Sequence, residues 1–244
     1  MDKDLELYIE NLSVTKKLSW SERLEFVSKE FPGRAIFSTS FSIEDQIITH
    51  IIGTNKLDID IFTLDTGRMF DETYEVWQQT KEKYNINIKP YYPDSDRLKE
   101  YVETNGINAF YESKDLRLSC CGIRKVEPLK RALQGYDVWI SGLRTSQSKG
   151  RDDKDLYEID STFEVVKLYP ILELSDDQIW AFIKKEDIPY NKLYDKGFTS
   201  IGCAPCSQVP TDPDDPRSGR WWWEDENQKE CGLHMVDGKL VRKK

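Results

Sequence analysis

Apolar and polar positions alternate along the chain in a way that predicts strands followed by helices. Short apolar runs bounded by turn-forming residues predict strands in the stretches 34–40, 58–65, 86–92 and 136–143. Helical spacing of apolar residues predicts helices in 43–52, 71–84, 94–106 and 175–188. Another helix is predicted after the capping-box pair Ser19 and Glu22, because Leu24, Val27 and Phe31 follow at helical spacing.

Strands that alternate with helices are typical of an α/β fold with a mostly parallel sheet and helices on both faces. Polar clusters follow three of the predicted strands, at Ser38–Ser42, Asp65–Arg68 and Arg144–Arg151. Because the carboxyl ends of parallel strands lie at one edge of the sheet, we expect these clusters to meet there and bind a ligand.

The chain after Gly197 is rich in turn-forming residues, and three consecutive tryptophans follow them at 221–223. This composition predicts an irregular C-terminal tail that covers the site. We therefore expect an N-terminal helical segment (1–30), a nucleotide-binding α/β domain (31–218) and a mobile tail (219–244).

Composition and charge narrow the possible functions. A chain of 244 residues with 38% hydrophobic residues can form one α/β domain with a core of its own. The net charge of −9 argues against nucleic acid as a partner. No apolar run is long enough to span a membrane, and the charged N-terminus does not have the character of a secretory signal, so we expect a cytoplasmic protein. The stretches 142–151 and 217–223 gather cations as a small-anion site does, although arginines that only solvate loops remain an alternative.

Five cysteines form a set of four plus one. Cys203 and Cys206 form a C-x-x-C motif, which is compatible with a redox dithiol, half a zinc site or half an iron–sulfur site. The remaining partner pair is Cys120 and Cys121, which are adjacent in the sequence. Side chains of adjacent helical residues diverge by about 100°, so both reach separate irons of a [4Fe–4S] cluster more easily than one zinc ion. The pattern favours the cluster and leaves the zinc and dithiol interpretations open.

Three other features of the sequence could take part in binding or catalysis. The hydroxyl-rich stretches 38–45 and 64–68 offer N–H and O–H donors to an anion, or are ordinary turns. Cys231, the fifth cysteine, has Lys229 and His234 nearby to favour its thiolate, although a surface cysteine without function is the alternative. Arg124 and Lys125, which follow the adjacent cysteines, could stabilise an anionic cluster or could simply face solvent.

The motifs taken together resemble those of a known family. The stretches CCGIRKVEPL, SIGCAPCS, STSFSIED, LDTGR, SGLRTSQSKGR, GRWWWE and KECGLH resemble the assimilatory adenosine 5'-phosphosulfate (APS) reductases. These are the iron–sulfur branch of a family that also contains the phosphoadenylyl-sulfate (PAPS) reductases. The resemblance implies an ATP-pyrophosphatase-like fold and a thioredoxin-dependent oxidoreductase of sulfate assimilation and cysteine biosynthesis. Such an enzyme converts APS to sulfite and AMP through an S-sulfocysteine intermediate.

The resemblance also implies roles for individual residues. Cys231 would be the catalytic nucleophile, and four cysteines would hold the [4Fe–4S] cluster, namely Cys120, Cys121, Cys203 and Cys206. Substrate-binding roles would fall to Ser38, Ser40, Phe41, Glu44, Asp45, Leu64, Asp65, Thr66, Gly67, Lys125, Arg144, Arg151, Arg217, Arg220 and Trp221. Many relatives have glycine at the position of Ser42, so the approach of this loop to the ligand is in question.

Partners and rival functions follow from the same resemblance. The expected partners are APS, a thioredoxin or glutaredoxin as reductant, and further copies of the chain in a dimer or tetramer. The alternatives are a PAPS reductase or an enzyme that accepts both nucleotides, a zinc-binding module, and a redox protein that depends on the C-x-x-C motif alone.

Overall fold

Five of the described helices begin at a residue whose side chain caps them. In the computed structural model, which describes residues 5–145, 154–212 and 215–224 and the backbone of 235–236 and 239–240, Ser19 and Glu22 form the predicted capping box. Ser175 forms a second capping box with Gln178, and Asp94 and Ser113 cap two further helices. These side chains satisfy N–H groups that the first helical turn leaves without partners.

The described residues form eight helices and eight strands. The helices are α1 (Leu5–Leu12), α2 (Trp20–Glu30), α3 (Ile43–Asn55), α4 (Asp71–Tyr84), α5 (Ser95–Asn105), α6 (Lys114–Cys121), α7 (Glu127–Ala132) and α8 (Asp176–Lys185). The strands are β1 (Ala35–Ser38), β2 (Asp60–Leu64), β3 (Ile88–Tyr91), β4 (Val138–Ile140), β5 (Tyr157–Asp160), β6 (Val165–Leu168), β7 (Met235–Val236) and β8 (Lys239–Leu240). Short 3-10 turns occur at Ser13–Lys17, Ala109–Tyr111, Tyr194–Lys196 and Ala204–Cys206, and a π-helical turn at Gly122–Val126 joins α6 to α7.

The main sheet has six strands in the order β3-β2-β1-β4-β6-β5. All neighbouring strands are parallel except β5 and β6, which pair antiparallel with Tyr157 opposite Leu168. Strands β1 to β4 confirm the four predicted strands, and the mostly parallel sheet confirms the predicted fold class. The chain moves outward from β1 to β3 and then returns to place β4 on the other side of β1. This reversal opens a crevice at the carboxyl ends of β1 and β4.

Alternate residues of the strands point to two different cores. Phe37 of β1 packs in the larger core with α2, α3, α4 and α8, whereas Ile36 faces the opposite side with Leu129 and Ala132 of α7. Because successive strand residues point to opposite faces, both faces of the sheet are covered, as predicted. A third cluster joins Tyr101 of α5 and Phe110 to Cys120 of α6.

Residues from both ends of the predicted domain division pack against the α/β domain. Leu12, Leu24 and Val27 of the N-terminal segment are fully buried in the larger core. Residues 219–224, which were assigned to the tail, are also packed, since Arg220 and Trp221 are buried and Gln208 N–H donates to the Gly219 carbonyl. Arg220 and Trp221 pack against the segment that contains Cys206. The turn-forming residues that precede them in the sequence gave no indication of this packing. No helix in the described part of the chain is long and apolar enough to cross a membrane.

Candidate active site

A cleft of about 630 Å³ opens at the carboxyl ends of β1 and β4. Its floor comes from Ser38 at the end of β1, Leu64 at the end of β2 and the stretch 141–144 after β4. Residues 197–203 and Arg217 form the opposite wall. The predicted meeting of polar clusters at one edge of the sheet is therefore confirmed for the described parts of all three clusters.

The loop between β1 and α3 is held by side chains of its own. Ser42 caps α3 by accepting a hydrogen bond from the Asp45 N–H, and its φ of −67° is accessible to any residue. The backbone conformation at this position therefore does not require glycine. The left-handed backbone lies one residue earlier, at Phe41 (φ +60°), whose buried ring stacks on Trp77. The side chain of Phe41 thus packs in the core and does not line the cleft.

Asp45 occupies the donors that this loop offers. Its carboxylate accepts hydrogen bonds from the Ser40 N–H and the Ser40 hydroxyl, each at 2.7 Å. Burial raises the pKa of Asp45 to about 6, and the hydrogen bonds from Ser40 oppose that change. Gly142 makes this close packing possible, since a Cβ there would lie 2.3 Å from an Asp45 carboxylate oxygen.

Arg144 forms an ion pair within the wall of the cleft. Its guanidinium lies 2.5 Å from Glu44 and 2.5 Å from Asp176, and it also donates to the Leu174 carbonyl. Arg144 and Glu44 are both buried, whereas Asp176 is exposed. The predicted phosphosulfate contact of Arg144 would therefore have to share this guanidinium with two carboxylates that already hold it.

The turn after β2 joins the cleft to the cysteines. The Asp65 carboxylate accepts from the Gly67 N–H at 2.8 Å, and Gly67 adopts a φ of +68°, which favours glycine. These two residues shape the turn that places Thr66 in the cleft wall. The Thr66 hydroxyl lies 3.3 Å from the Cys203 sulfur, and the Thr66 carbonyl accepts from Arg124.

All four predicted cluster cysteines line one small second cavity. Cys120 and Cys121 end helix α6, while Cys203 precedes the 3-10 turn Ala204–Cys206 and Cys206 ends it. None forms a disulfide, and three of the four are buried. In the described part of the chain, no three His, Cys, Asp or Glu side chains converge closely enough to hold a single metal ion. The four thiols line this cavity together with cationic side chains.

The electrostatics of this cavity favour an anion. Among the described residues, five cationic side chains and no carboxylate line it: Arg68, Arg117, Arg124, Lys125 and Arg220. The Nε of Arg124 is buried and has no hydrogen-bond partner, so a donor remains for a group in the cavity. Burial raises the pKa of the Cys206 thiol to about 12, while the charges of Lys125 and Arg220 act in the opposite direction. The four thiols and their cations fit a sulfur-ligated anionic group.

Three residues belong to both cavities. Lys125, Cys203 and Arg220 line the large cleft as well as the cysteine cavity. The Arg220 guanidinium lies against the backbone of Gly202 and donates to the Cys206 carbonyl at 3.2 Å. Two cations therefore stand at the boundary between the cleft and the thiols.

The predicted substrate-binding residues separate into three groups. Those that line the cleft are Ser38, Ser40, Glu44, Asp45, Leu64, Thr66, Lys125, Arg144, Arg217 and Arg220. Those placed elsewhere are Phe41 in the core, Asp65 and Gly67 in the turn, and Trp221, whose buried ring lies among Arg117, Arg217 and Arg220 at the cysteine cavity. Arg151, Cys231 and the neighbouring His234 lie outside the described residues.

The structure adds residues that the motifs did not single out. Lys167 and Trp139 line the cleft, and the Lys167 ammonium lies 4.9 Å from the Trp139 ring centroid and pairs with Asp160. A lone lysine inside the apolar run of β6 was the available signal for this site. Tyr194 also lines the cleft, and its hydroxyl accepts from the N–H that begins α3. Nothing in its sequence context indicated that position.

The sheet order and the cleft at its reversal define an α/β protein of the ATP-pyrophosphatase type. Yeast FAD synthetase in complex with FAD shares this fold, with a TM-score of 0.52 and 18% identity over 86% of this chain and 70% of that one. Residues 34–209 match the phosphoadenosine phosphosulfate reductase domain, and the chain belongs to that family.

Relatives in this family are similar over most of their length. The adenosine 5'-phosphosulfate reductase of Sinorhizobium fredii (strain USDA 257) is 46% identical over 84% of this chain and 82% of its own. That of Neisseria meningitidis serogroup A is 42% identical over 93% of this chain and 94% of its own. The crystal structure of phosphoadenylyl-sulfate reductase from Candida auris, a phosphate complex, has a TM-score of 0.70 and 25% identity, and covers 84% of this chain and 98% of that one.

Proposed function

We propose that the protein reduces APS to sulfite and AMP in sulfate assimilation, with Cys231 as the nucleophile. The observation that carries this proposal is the shared boundary, where Lys125 and Arg220 face both the cleft and the four thiols. Relatives at 42–46% identity are named adenosine 5'-phosphosulfate reductases, which supports the same substrate.

The four cysteines of the second cavity would hold a [4Fe–4S] cluster. The donor set supports this assignment, because its sulfur ligands and surrounding cations suit an anionic cluster. The cluster would supply negative charge and rigidity beside the substrate, while the two electrons come from thiols. A [4Fe–4S] cluster predicts brown protein with about four irons and four labile sulfides per chain. A single zinc ion and colourless protein would support the zinc-binding module instead.

The nucleotide would bind in the large cleft. Ser38 and Arg217 line this cleft beside the N-terminus of α3, whose dipole favours an anion. The N–H and hydroxyl of Ser40 would donate to the phosphate only after they release the Asp45 carboxylate that they hold in the structure. Lys125 and Arg220 would neutralise the charge that develops on the phosphosulfate as the sulfur–oxygen bond breaks. The same two cations would link the substrate electrostatically to the four thiolates.

The proposed reaction has three steps, a transfer of SO3 to Cys231 and two thiol exchanges with the reductant. The Cys231 thiolate attacks the sulfur of APS, a sulfur–sulfur bond forms, and AMP leaves with the electron pair of the broken sulfur–oxygen bond. A thiolate of the dithiol reductant then attacks the Cys231 sulfur, and sulfite leaves with the electron pair. The second thiol of the reductant resolves the mixed disulfide and regenerates Cys231. A thioredoxin or glutaredoxin supplies this chemistry.

Mass spectrometry tests the nucleophile. Protein mixed with APS in the absence of a reductant should carry an added SO3 on the peptide that contains Cys231. The Cys231→Ser variant should keep its chromophore and its affinity for AMP but form no sulfite. An SO3 adduct on a different cysteine would overturn the assignment. Loss of sulfite formation in Cys203→Ser but not in Cys231→Ser would support a C-x-x-C dithiol protein.

The choice between APS and PAPS is tested by kinetics. The family description and the Candida auris structure both name phosphoadenylyl-sulfate reductases, and this favours PAPS as the alternative substrate. We propose APS because the curated relatives at higher identity are named for it. Comparing kcat/KM for the two nucleotides on anaerobic protein decides between them, and sedimentation of the same sample tests the proposed dimer or tetramer.

A further inference from the structure

A buried ion pair lies between the cysteine cavity and the start of the C-terminal segment. Arg117 of α6 and Glu224 form a two-pronged contact, with Nε to Oε1 at 2.5 Å and Nη2 to Oε2 at 2.9 Å. We infer that this pair is a positioning device that fixes the base of the segment carrying Cys231, and so determines how efficiently that thiolate reaches the substrate. The inference rests on the proposed function.

The geometry of the pair is strongly constrained. The side chain of Arg117 is 1% exposed and that of Glu224 is 7% exposed. The guanidinium also lies over the Trp221 ring, 4.7 Å from its centroid. Arg–carboxylate pairs with two parallel hydrogen bonds fix orientation as well as distance, which an apolar contact does not. Because little of either side chain is exposed, competing solvent weakens this pair less than a pair at the surface.

Residues 220–224 connect the segment of Cys203 and Cys206 with the helix that carries Cys120 and Cys121. Ser207 and Arg220 form an antiparallel bridge, and the Trp221 N–H donates to the Cys206 carbonyl at 3.3 Å. The Glu224 N–H donates to the Trp221 carbonyl at 2.8 Å, which completes a turn. Residues 220–224 are thus hydrogen-bonded to the C-x-x-C segment through Trp221. They are also bonded to helix α6 through Arg117, which lies three residues before Cys120.

The short distance along the chain from Glu224 to Cys231 makes the position of Glu224 important. Cys231 follows Glu224 by seven residues, and each residue extends the chain by at most about 3.6 Å, so Cys231 stays within roughly 25 Å of Glu224. The effective concentration of a thiolate on a linker of this length depends on the distance that the linker has to span. Displacement of a reacting group by about 1 Å can cost about 100-fold in rate.

Single-turnover kinetics test the inference. The Glu224→Gln variant keeps the size of the side chain and removes its charge. We expect the rate of SO3 transfer to Cys231 to fall about 10- to 100-fold, with the Kd for AMP and the iron content within about twofold of wild type. Glu224→Asp keeps the charge and should recover part of the rate. Glu103→Gln, which removes an exposed partner of Lys99, is the matched control and should react as wild type does.

A second variant separates positioning from folding. Arg117→Met combined with Glu224→Leu replaces the pair by apolar side chains, which often preserve or improve stability at buried ion pairs. We expect this variant to retain iron and AMP binding and still transfer SO3 slowly. Wild-type transfer rates in this variant or in Glu224→Gln would overturn the inference, as would loss of iron in both. If wild-type protein itself forms no adduct on Cys231, the proposed function fails instead.

Discussion

Substitution of Gly202 by alanine tests the role of Arg220 without removing it. A Cβ at position 202 would lie 2.3 Å from Nη2, 2.7 Å from Cζ and 2.8 Å from Nη1 of Arg220. Carbon and nitrogen atoms in ordinary contact are about 3.5 Å apart, so the guanidinium has to move by roughly 1 Å or more. The backbone of Gly202 does not require a left-handed conformation, so the added methyl acts through this contact.

The effect on function should exceed the effect on stability. Displaced Arg220 loses its hydrogen bond to the Cys206 carbonyl, which is worth about 1 kcal/mol. For a chain of this size, such a loss lowers Tm by about 2–4 °C. If Arg220 contacts the phosphosulfate, a shift of about 1 Å should lower kcat/KM for APS by roughly 10- to 100-fold.

Three measurements on anaerobic protein check this prediction: iron content, Tm and kcat/KM for APS. Gly122→Ala is the matched control, because Gly122 lies beside Cys121 as Gly202 lies beside Cys203, but has a φ of −56° and open space around its Cβ. We expect the control to have kcat/KM within twofold of wild type. A Gly202→Ala variant with the same kcat/KM as the control would refute the assigned role of Arg220. A loss of iron in Gly202→Ala would show that Arg220 acts on the cysteine cavity first.

Three further predictions concern the wall of the cleft. Arg144→Ala should lower the free energy of unfolding by about 3–5 kcal/mol, because it leaves the buried Glu44 carboxylate unpaired. Adding Glu44→Gln should recover part of that loss in a double-mutant cycle measured by urea denaturation, and strict additivity of the two changes would contradict the pairing. The folded-state pKa of Asp45, about 6 against 3.8, means that the folded protein binds more protons than the unfolded chain between these pH values. The stability contributed by this group is therefore present below pH ~4 and lost as pH rises through ~6, so Asp45→Asn should gain about 3 kcal/mol relative to wild type over that range. A constant difference at all pH values would show that Asp45 ionises normally. Tyr194→Phe removes the acceptor of the first N–H of α3 and should cost about 1–2 kcal/mol of stability and weaken AMP binding in calorimetry. Tyr190→Phe, which removes an exposed hydroxyl, is its control and should change neither.

The strands and helices with a clear period could be predicted from the sequence. Helix α4 spans 71–84 as predicted, and α5 ends before Gly106, because capping residues and apolar spacing act locally. Strands β5 and β6 were not predicted. Their residues include Glu158, Asp160 and Lys167, which form ion pairs across the two strands. Such a pairing is visible only once the strands are adjacent, and the sequence shows it as scattered charge.

The grouping of the four cysteines could be predicted from the sequence, whereas the contacts that support the site could not. Spacing alone grouped Cys120 and Cys121 with Cys203 and Cys206, and the structure places all four around one cavity. The substrate-binding role of Trp221 stays a prediction, although its ring is buried beside the cysteines and does not line the cleft. The sequence does not distinguish a tryptophan that stacks on a ligand from one that packs against an arginine. Only tertiary packing decides the orientation of its ring.

The four thiols also bear on how the chain folds. The two cysteine pairs are about 80 residues apart, a span that includes β4, β5, β6 and α8, and closing such a loop costs several kcal/mol of chain entropy. If the proposed cluster is ligated by both pairs, it would close that loop in the native state, as a covalent cross-link does. Three of the six strands of the main sheet lie between the two pairs in the sequence. Loss of the cluster should therefore destabilise this half of the sheet as well as the cysteine cavity.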